Sequence, residues 1–196
     1  MVTLTKKEKH ALLILFKDFT SYYNANSISK VLGMSRVGAM KMLKKFLSEN
    51  LLTSKQIGKS TVYKINLDND YARKLIAFLL ADEANNFKRW KEEFKELFKR
   101  ERIIMMYGSA IRDYSKANDI DIMLVIKKSE YKDVGEVIEK RQKILPKKIH
   151  SIELTSADLL QNIREGKKPI IDIVKTAIIL YGQDKYVDVL KNVASF

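Results

Sequence analysis

A chain of 196 residues with 46% apolar and 31% charged residues has the length and composition for two modest folded domains, which argues against disorder. It has no cysteine, which excludes disulfides and thiolate zinc sites, and no apolar run near the roughly 18 residues of a membrane span; with no signal peptide ahead of the first helix, a cytoplasmic location without membrane contact is expected. The net charge is +13, of which residues 1–100 carry +10 and residues 101–196 only +3, so an anionic polymer is the natural partner of the first half.

In chain order, Thr5-Lys6-Lys7-Glu8 forms a capping box, and Ala11, Leu12, Leu15 and Phe16 then recur at helical spacing. Ser27 is the expected N-cap of a short second helix, which Gly33 closes at a position tolerating positive φ. Ser35 opens a third helix running to about Glu49, whose apolar residues are interleaved with Arg36, Lys41, Lys44 and Lys45, and Asn50 takes the left-handed turn that ends it. Two short β-prone runs follow over residues 51–56 and 61–67, separated by Gly58-Lys59-Ser60.

Three helices and a hairpin with a basic tip follow the order of a winged helix-turn-helix. The segment from Ile28 through Arg36, continued to Asn50-Leu51-Leu52, is similar to the winged-helix domains of archaeal and bacterial transcription regulators. That resemblance implies a third helix entering the DNA major groove and a wing against the backbone. Arg36 and Lys41 are then the groove residues, Lys44 or Lys45 lies nearer phosphate, and Lys55 and Lys59 belong to the wing. DNA is favoured over RNA, and a winged helix used for protein contacts is the alternative.

Residues 70–100 contain neither Gly nor Pro, and Leu75, Phe78, Leu79, Phe87, Trp90, Phe94 and Leu97 trace apolar faces at helical spacing. This connector is one long helix or two helices broken near 82–86. Its aromatic face packs on the following domain or forms a dimer seam, and a homodimer is the expected state.

The run Ile103-Ile104-Met105-Met106-Tyr107 has the length of a buried strand, and Gly108 ends it where a residue without Cβ permits close approach of a phosphate. Ser109 follows at an expected helix start, where free N–H groups and the helix dipole favour an anion. In a second strand from Asp119, Asp119 and Asp121 share one face while Ile120 and Ile122 take the other. Two carboxylates on one face suit Mg²⁺. The residues Lys148-Ile149-His150-Ser151-Ile152-Glu153-Leu154 alternate as a strand. Ser156 is the expected N-cap of a helix with Asp158 in its first turn. After Gly166-Lys167-Lys168-Pro169 breaks the chain, an apolar helical run extends from Ile170 to Tyr181, closed by Gly182. His10 and His150 carry no metal-binding pattern and are assigned structural roles.

Gly108-Ser109, Arg112, Asp119 and Asp121, in this order and spacing, resemble the minimal nucleotidyltransferases of the DNA polymerase β superfamily over residues 101–185. The resemblance implies an enzyme that moves a nucleoside monophosphate from a nucleoside triphosphate, with ATP expected, to an unidentified acceptor hydroxyl. It implies two Mg²⁺ ions, with Mn²⁺ as the substitute, held by Asp119, Asp121 and a third acid from a later strand, for which Glu153 is the choice over Asp158. Gly108, Ser109, Arg112 and Lys116 would hold the triphosphate. Asp113 stands where many relatives have Gly, and Glu153 where most have Asp. Two alternatives stay open: a transcription regulator whose second domain senses nucleotide without turnover, and an antitoxin-like enzyme adding AMP to a protein acceptor.

The expected architecture is therefore α+β in two domains: a winged helix-turn-helix over 1–68, a helical connector over 69–100, and a nucleotidyltransferase fold over 101–196 with a small mixed β-sheet flanked by helices.

Overall fold

The computed structural model describes residues 4–194. They form two compact units, one of residues 4–79 with 190–194 and one of residues 80–189.

The first unit opens with α1 (Lys6–Lys17), started by the reciprocal Thr5–Glu8 capping box. Helix α2 (Ala25–Val31) is capped by Asn24, whose side-chain oxygen accepts from the N–H groups of Asn26 and Ser27. Ser27 is thus the third residue of the helix and closes the box by accepting from the Asn24 N–H, three positions from its expected place as the cap. The expected glycine stop holds: Gly33 has φ +56°. Ser35 caps α3 (Arg36–Ser48) through the Gly38 N–H, and Asn50, also at φ +56°, turns the chain out of it.

The wing is the antiparallel pair β1 (Leu52–Ile57) and β2 (Ser60–Ile65), turned by Gly58 at φ +56°. An isolated bridge from Tyr23 to Tyr63 ties its base to the segment between α1 and α2. The core consists of residues from every element, among them Leu12, Phe16, Ile28, Leu43, Phe46, Leu51 and Ile65, each under 5% exposed. A side chain of Phe or Leu size buried this fully contributes about 1.5–3 kcal/mol, so this small unit has a core of its own.

The connector begins as α4 (Asp70–Ala84) and breaks into a 3-10 turn at Asn85–Phe87. The short α5 (Lys88–Glu93) follows, then a second 3-10 turn at Lys95–Leu97.

In the second unit a four-stranded mixed sheet has the order β5-β4-β3-β6. Its strands are β3 (Ile103–Tyr107), β4 (Asp119–Val125), β5 (Lys148–Leu154) and β6 (Ile178–Tyr181). The β3 strand runs antiparallel to β4 and to β6, whereas β4 and β5 are parallel and joined through α6 (Tyr131–Gln142). One face, bearing Ile104, Met106, Ile120, Ile122, Leu124 and Ile149, packs with Trp90, Phe94, Leu97 and Val134 into a single cluster.

After β5, Thr155 rather than Ser156 caps α7 (Ser156–Arg164), with Asp158 completing the box. The apolar run expected as one helix from Ile170 is divided. Pro169 lies in the first turn of α8 (Lys168–Thr176), where its missing N–H costs nothing. Ala177, at ψ 148°, then turns the chain into β6, and α9 (Gln183–Lys191) follows it. A short apolar run does not reveal its period, so helix and buried strand read alike there.

Gly182, between β6 and α9, has φ +81°, and a Cβ there would lie 2.2 Å from the Arg102 carbonyl oxygen. Gly182→Ala is expected to cost at least about 1–2 kcal/mol from the left-handed backbone alone, read as a lower urea midpoint; an unchanged midpoint would mean that the backbone gives way at this junction.

Candidate functional site

Two regions collect polar chemistry, one in each unit. In the first, α3 divides cleanly by helical spacing. Ala39, Met42, Leu43 and Phe46 are buried, while Arg36, Val37, Met40, Lys41 and Lys44 are exposed, with Val37 at 58% and Met40 at 40%. Arg36, Lys41 and Lys44 make no ion pair among the described residues.

Lys45 differs from these. Its ammonium bonds Glu8 of α1 at 2.8 Å, a pair that ties α3 to α1 and keeps this charge off the exposed face. Burial alone would raise the Glu8 carboxyl, but Lys45 and the Thr5 backbone and hydroxyl outweigh it and hold the group below the ordinary carboxylate value.

A cleft of about 420 Å³ lies between the start of α2, the start of α3 and the wing tip. Asn24, Asn26, Arg36, Lys59, Ser60 and Thr61 line it with polar atoms, alongside Met40 and Tyr63. Lys55 and Lys59 are both exposed on the wing. Tyr23, at the wing base, donates to Asp18 at 2.7 Å, and burial with that carboxylate pushes its phenol up to about 12.

In the second unit the ends of β3, β4 and β5 meet. Asp121 lies opposite Tyr107 on one side and His150 on the other, and Asp119 is two residues before it on the same face. His150 Nδ1 is 3.2 Å from Asp119 Oδ2 and 3.7 Å from Asp121 Oδ1. Burial, and then the negative charge of Asp119, push the Asp121 carboxyl above its ordinary value, against the opposing pull of His150. The Tyr107 phenol is pushed up to about 12 by burial and by both carboxylates. Gly108, at φ +78°, lies so close that a Cβ would fall 2.1 Å from Asp121 Oδ2. Glycine here makes room for the Asp121 carboxylate, a tighter reason than the phosphate approach expected from sequence.

Glu153 does not join this group. In the parallel register it pairs with Leu124, which places it on the sheet face opposite Asp119 and Asp121 and three residues beyond His150, about 10 Å along the strand. Its charge acts instead on Tyr131 at the start of α6. The third side chain that gathers with Asp119 and Asp121 is thus His150, for which the sequence alone suggests only a structural role. Strand alternation alone left the even and odd faces of β5 equivalent, and only the register decides between them.

The expected triphosphate cradle is also absent in the form foreseen. No helix begins at Ser109; its carbonyl accepts from the Arg112 and Asp113 N–H groups, and residues 110–116 run as turns. Asp113 accepts from the Ser115 N–H and hydroxyl, and Lys116 pairs with Asp113 at 3.4 Å. Lys147 fastens this loop by donating to the carbonyls of Tyr114, Ser115 and Ala117. Arg112 and Lys116 are exposed, whereas Gly108 and Ser109 are half-buried.

No family model and no curated protein matches the chain. Solved structures to which it is similar include the adhesin competence repressor AdcR from Streptococcus pyogenes, at 13% identity and TM-score 0.38 over 48% of this chain and 68% of that one. A zinc-responsive MarR family member, ZitR from Lactococcus lactis, aligns at 21% identity and TM-score 0.35 over 51% and 67%. ZitR in complex with DNA aligns at 18% and 0.35 over 49% and 66%. The structures named here are regulators and not nucleotidyltransferases, and the expected family, the enzyme class and the Mg²⁺ ions with their nucleoside triphosphate are corrected accordingly. The site agrees with that correction, because the third carboxylate on which the two-metal reading depended faces the other way. No described helix is long and apolar enough to cross a membrane. What stands is an α+β chain of two units, the first of them a winged helix-turn-helix.

Proposed function

We propose that the chain is a DNA-binding regulator that engages duplex DNA through α3 and the wing of its first unit. The observation that carries this reading is the outward face of α3. Arg36, Lys41 and Lys44 stand on it without an ion pair among the described residues, interleaved with the exposed apolar residues Val37 and Met40. Such a face combines donors for guanine edges and phosphates with apolar groups for thymine methyls, and a helix is the element that the major groove admits.

The cleft between α2, α3 and the wing supports the same reading. Arg36 and Lys59 bring positive charge to it, and the neighbouring side chains of Asn24, Asn26, Ser60 and Thr61 supply hydrogen-bonding groups suited to a phosphodiester. The +10 net charge of residues 1–100 adds the long-range attraction. Lys55, Lys59 and Lys44 are assigned to phosphate, Arg36 and Lys41 to the groove. Lys45 is assigned to the Glu8 pair.

Fluorescence anisotropy with a labelled random-sequence duplex across a salt series tests this. The three lysines assigned to phosphate are expected to give a slope of log K against log salt of about −3. A flat salt dependence, or no binding at low salt, would defeat the proposal.

A further inference from the structure

The Asp119, Asp121 and His150 side chains each present a ligand atom within 4.8 Å of the others. We propose that this trio holds one divalent transition-metal ion, of the Zn²⁺ kind, in a site independent of the DNA-binding face.

The donor set argues for that class of ion. Two carboxylate oxygens and one imidazole nitrogen suit zinc and its neighbours, whereas Mg²⁺ and Ca²⁺ sites are built from oxygen alone. Position argues for it as well. The three side chains project from adjacent hydrogen-bonded strands, Asp121 directly opposite His150, so their separation is set by the sheet register rather than by a mobile loop. Side-chain exposures of 31%, 19% and 47% for Asp119, Asp121 and His150 leave the trio open to an entering ion and its water. Three protein ligands with an open position make a site that can bind and release an exogenous group. Without an ion, the arrangement is a histidine beside two carboxylates at 3.2 and 3.7 Å, an ordinary ion pair when the imidazole is protonated.

The two states are separable because the chain has only two histidines, His10 and His150. Protein stripped with a chelator and titrated calorimetrically with Zn²⁺ is expected to bind one ion per chain. His150→Ala and Asp121→Asn should each weaken binding at least about 10- to 100-fold, the range seen even for residues that only support a ligand, while His10→Ala binds as before. Mg²⁺ should bind much more weakly. In the intact protein, the His150 imidazole resonances should shift on adding Zn²⁺ and those of His10 should not, a readout that needs no variant to fold. Unshifted His150 resonances at saturating Zn²⁺, undiminished Zn²⁺ affinity in His150→Ala, or equal Mg²⁺ and Zn²⁺ affinities would each overturn the proposal. None of these results bears on the DNA-binding reading.

Discussion

The double variant Arg36→Ala/Lys41→Ala is expected to bind duplex DNA at least roughly 30-fold more weakly than the parent, at an unchanged thermal midpoint. Each groove contact of this kind is worth about 1–3 kcal/mol, and about 1.4 kcal/mol is tenfold in affinity. Both residues are exposed and make no ion pair among the described residues, so their truncation removes little that the fold uses. The informative control is Lys45→Ala. That lysine is one of the same basic run but is bound to Glu8 at 2.8 Å, so the change should leave DNA affinity within a few-fold and register in stability instead. Anisotropy and thermal melts on the same samples read both effects, and equal losses of affinity in the two variants would mean that α3 is not docked by this face.

The largest stability effect is expected at Arg102, just before β3. Its side chain is 1% exposed and bonds Glu130 through Nε at 2.9 Å and Nη2 at 2.8 Å. Removing one partner of a buried pair costs about 3–5 kcal/mol. Since Glu130 keeps 22% exposure, Arg102→Met belongs near the lower end, about 3 kcal/mol. Arg102→Met/Glu130→Met should recover a good part of the loss, because no charge is then stranded.

The pH dependence follows from Glu130. Burial works to raise its carboxyl, but the Lys127 N–H and the Arg102 guanidinium outweigh it and hold the group below its ordinary value of 4.5. A carboxyl depressed by folding stabilises the fold above its unfolded value, and that contribution disappears as pH falls through the lower folded one. The difference between parent and Arg102→Met should therefore be full above about pH 5 and shrink below about 4, as read by urea unfolding across that range. A difference constant down to pH 3 would assign the loss to packing rather than charge.

Much of the fold was legible because local signals agreed with one another. Thr5 with Glu8, Ser35 before Arg36, Gly33 and Asn50 each mark a helix end whose chemistry is set within a few residues. The exposed stripe of α3 could be read from spacing alone, since polar and apolar residues separate at helical period. The β3, β4 and β5 strands were equally plain as alternating or continuous apolar runs.

What failed depended on partners distant in sequence. Nothing within residues 148–154 says which side of β5 faces Asp121; the parallel register with β4 chose His150 over Glu153. The Gly108-Ser109 pair invited a helix start, but Asp113 and Lys147 hold the following residues in turns. The Ile178-Ile179-Leu180 run reads as helix in isolation because its pairing with β3 lies more than 70 positions upstream. The candidate site was thus visible as an acidic strand end, while its third member and its face awaited the sheet.

Titration of ¹⁵N-labelled protein with a short duplex, followed by two-dimensional amide spectra, tests the central claim most directly. Progressive shifts are expected, confined to the exposed residues of α3, the wing tip at 58–61 and the start of α2 at 24–26, the elements around one cleft. Shifts gathered instead on the strands around Asp121, or none at excess duplex, would contradict it.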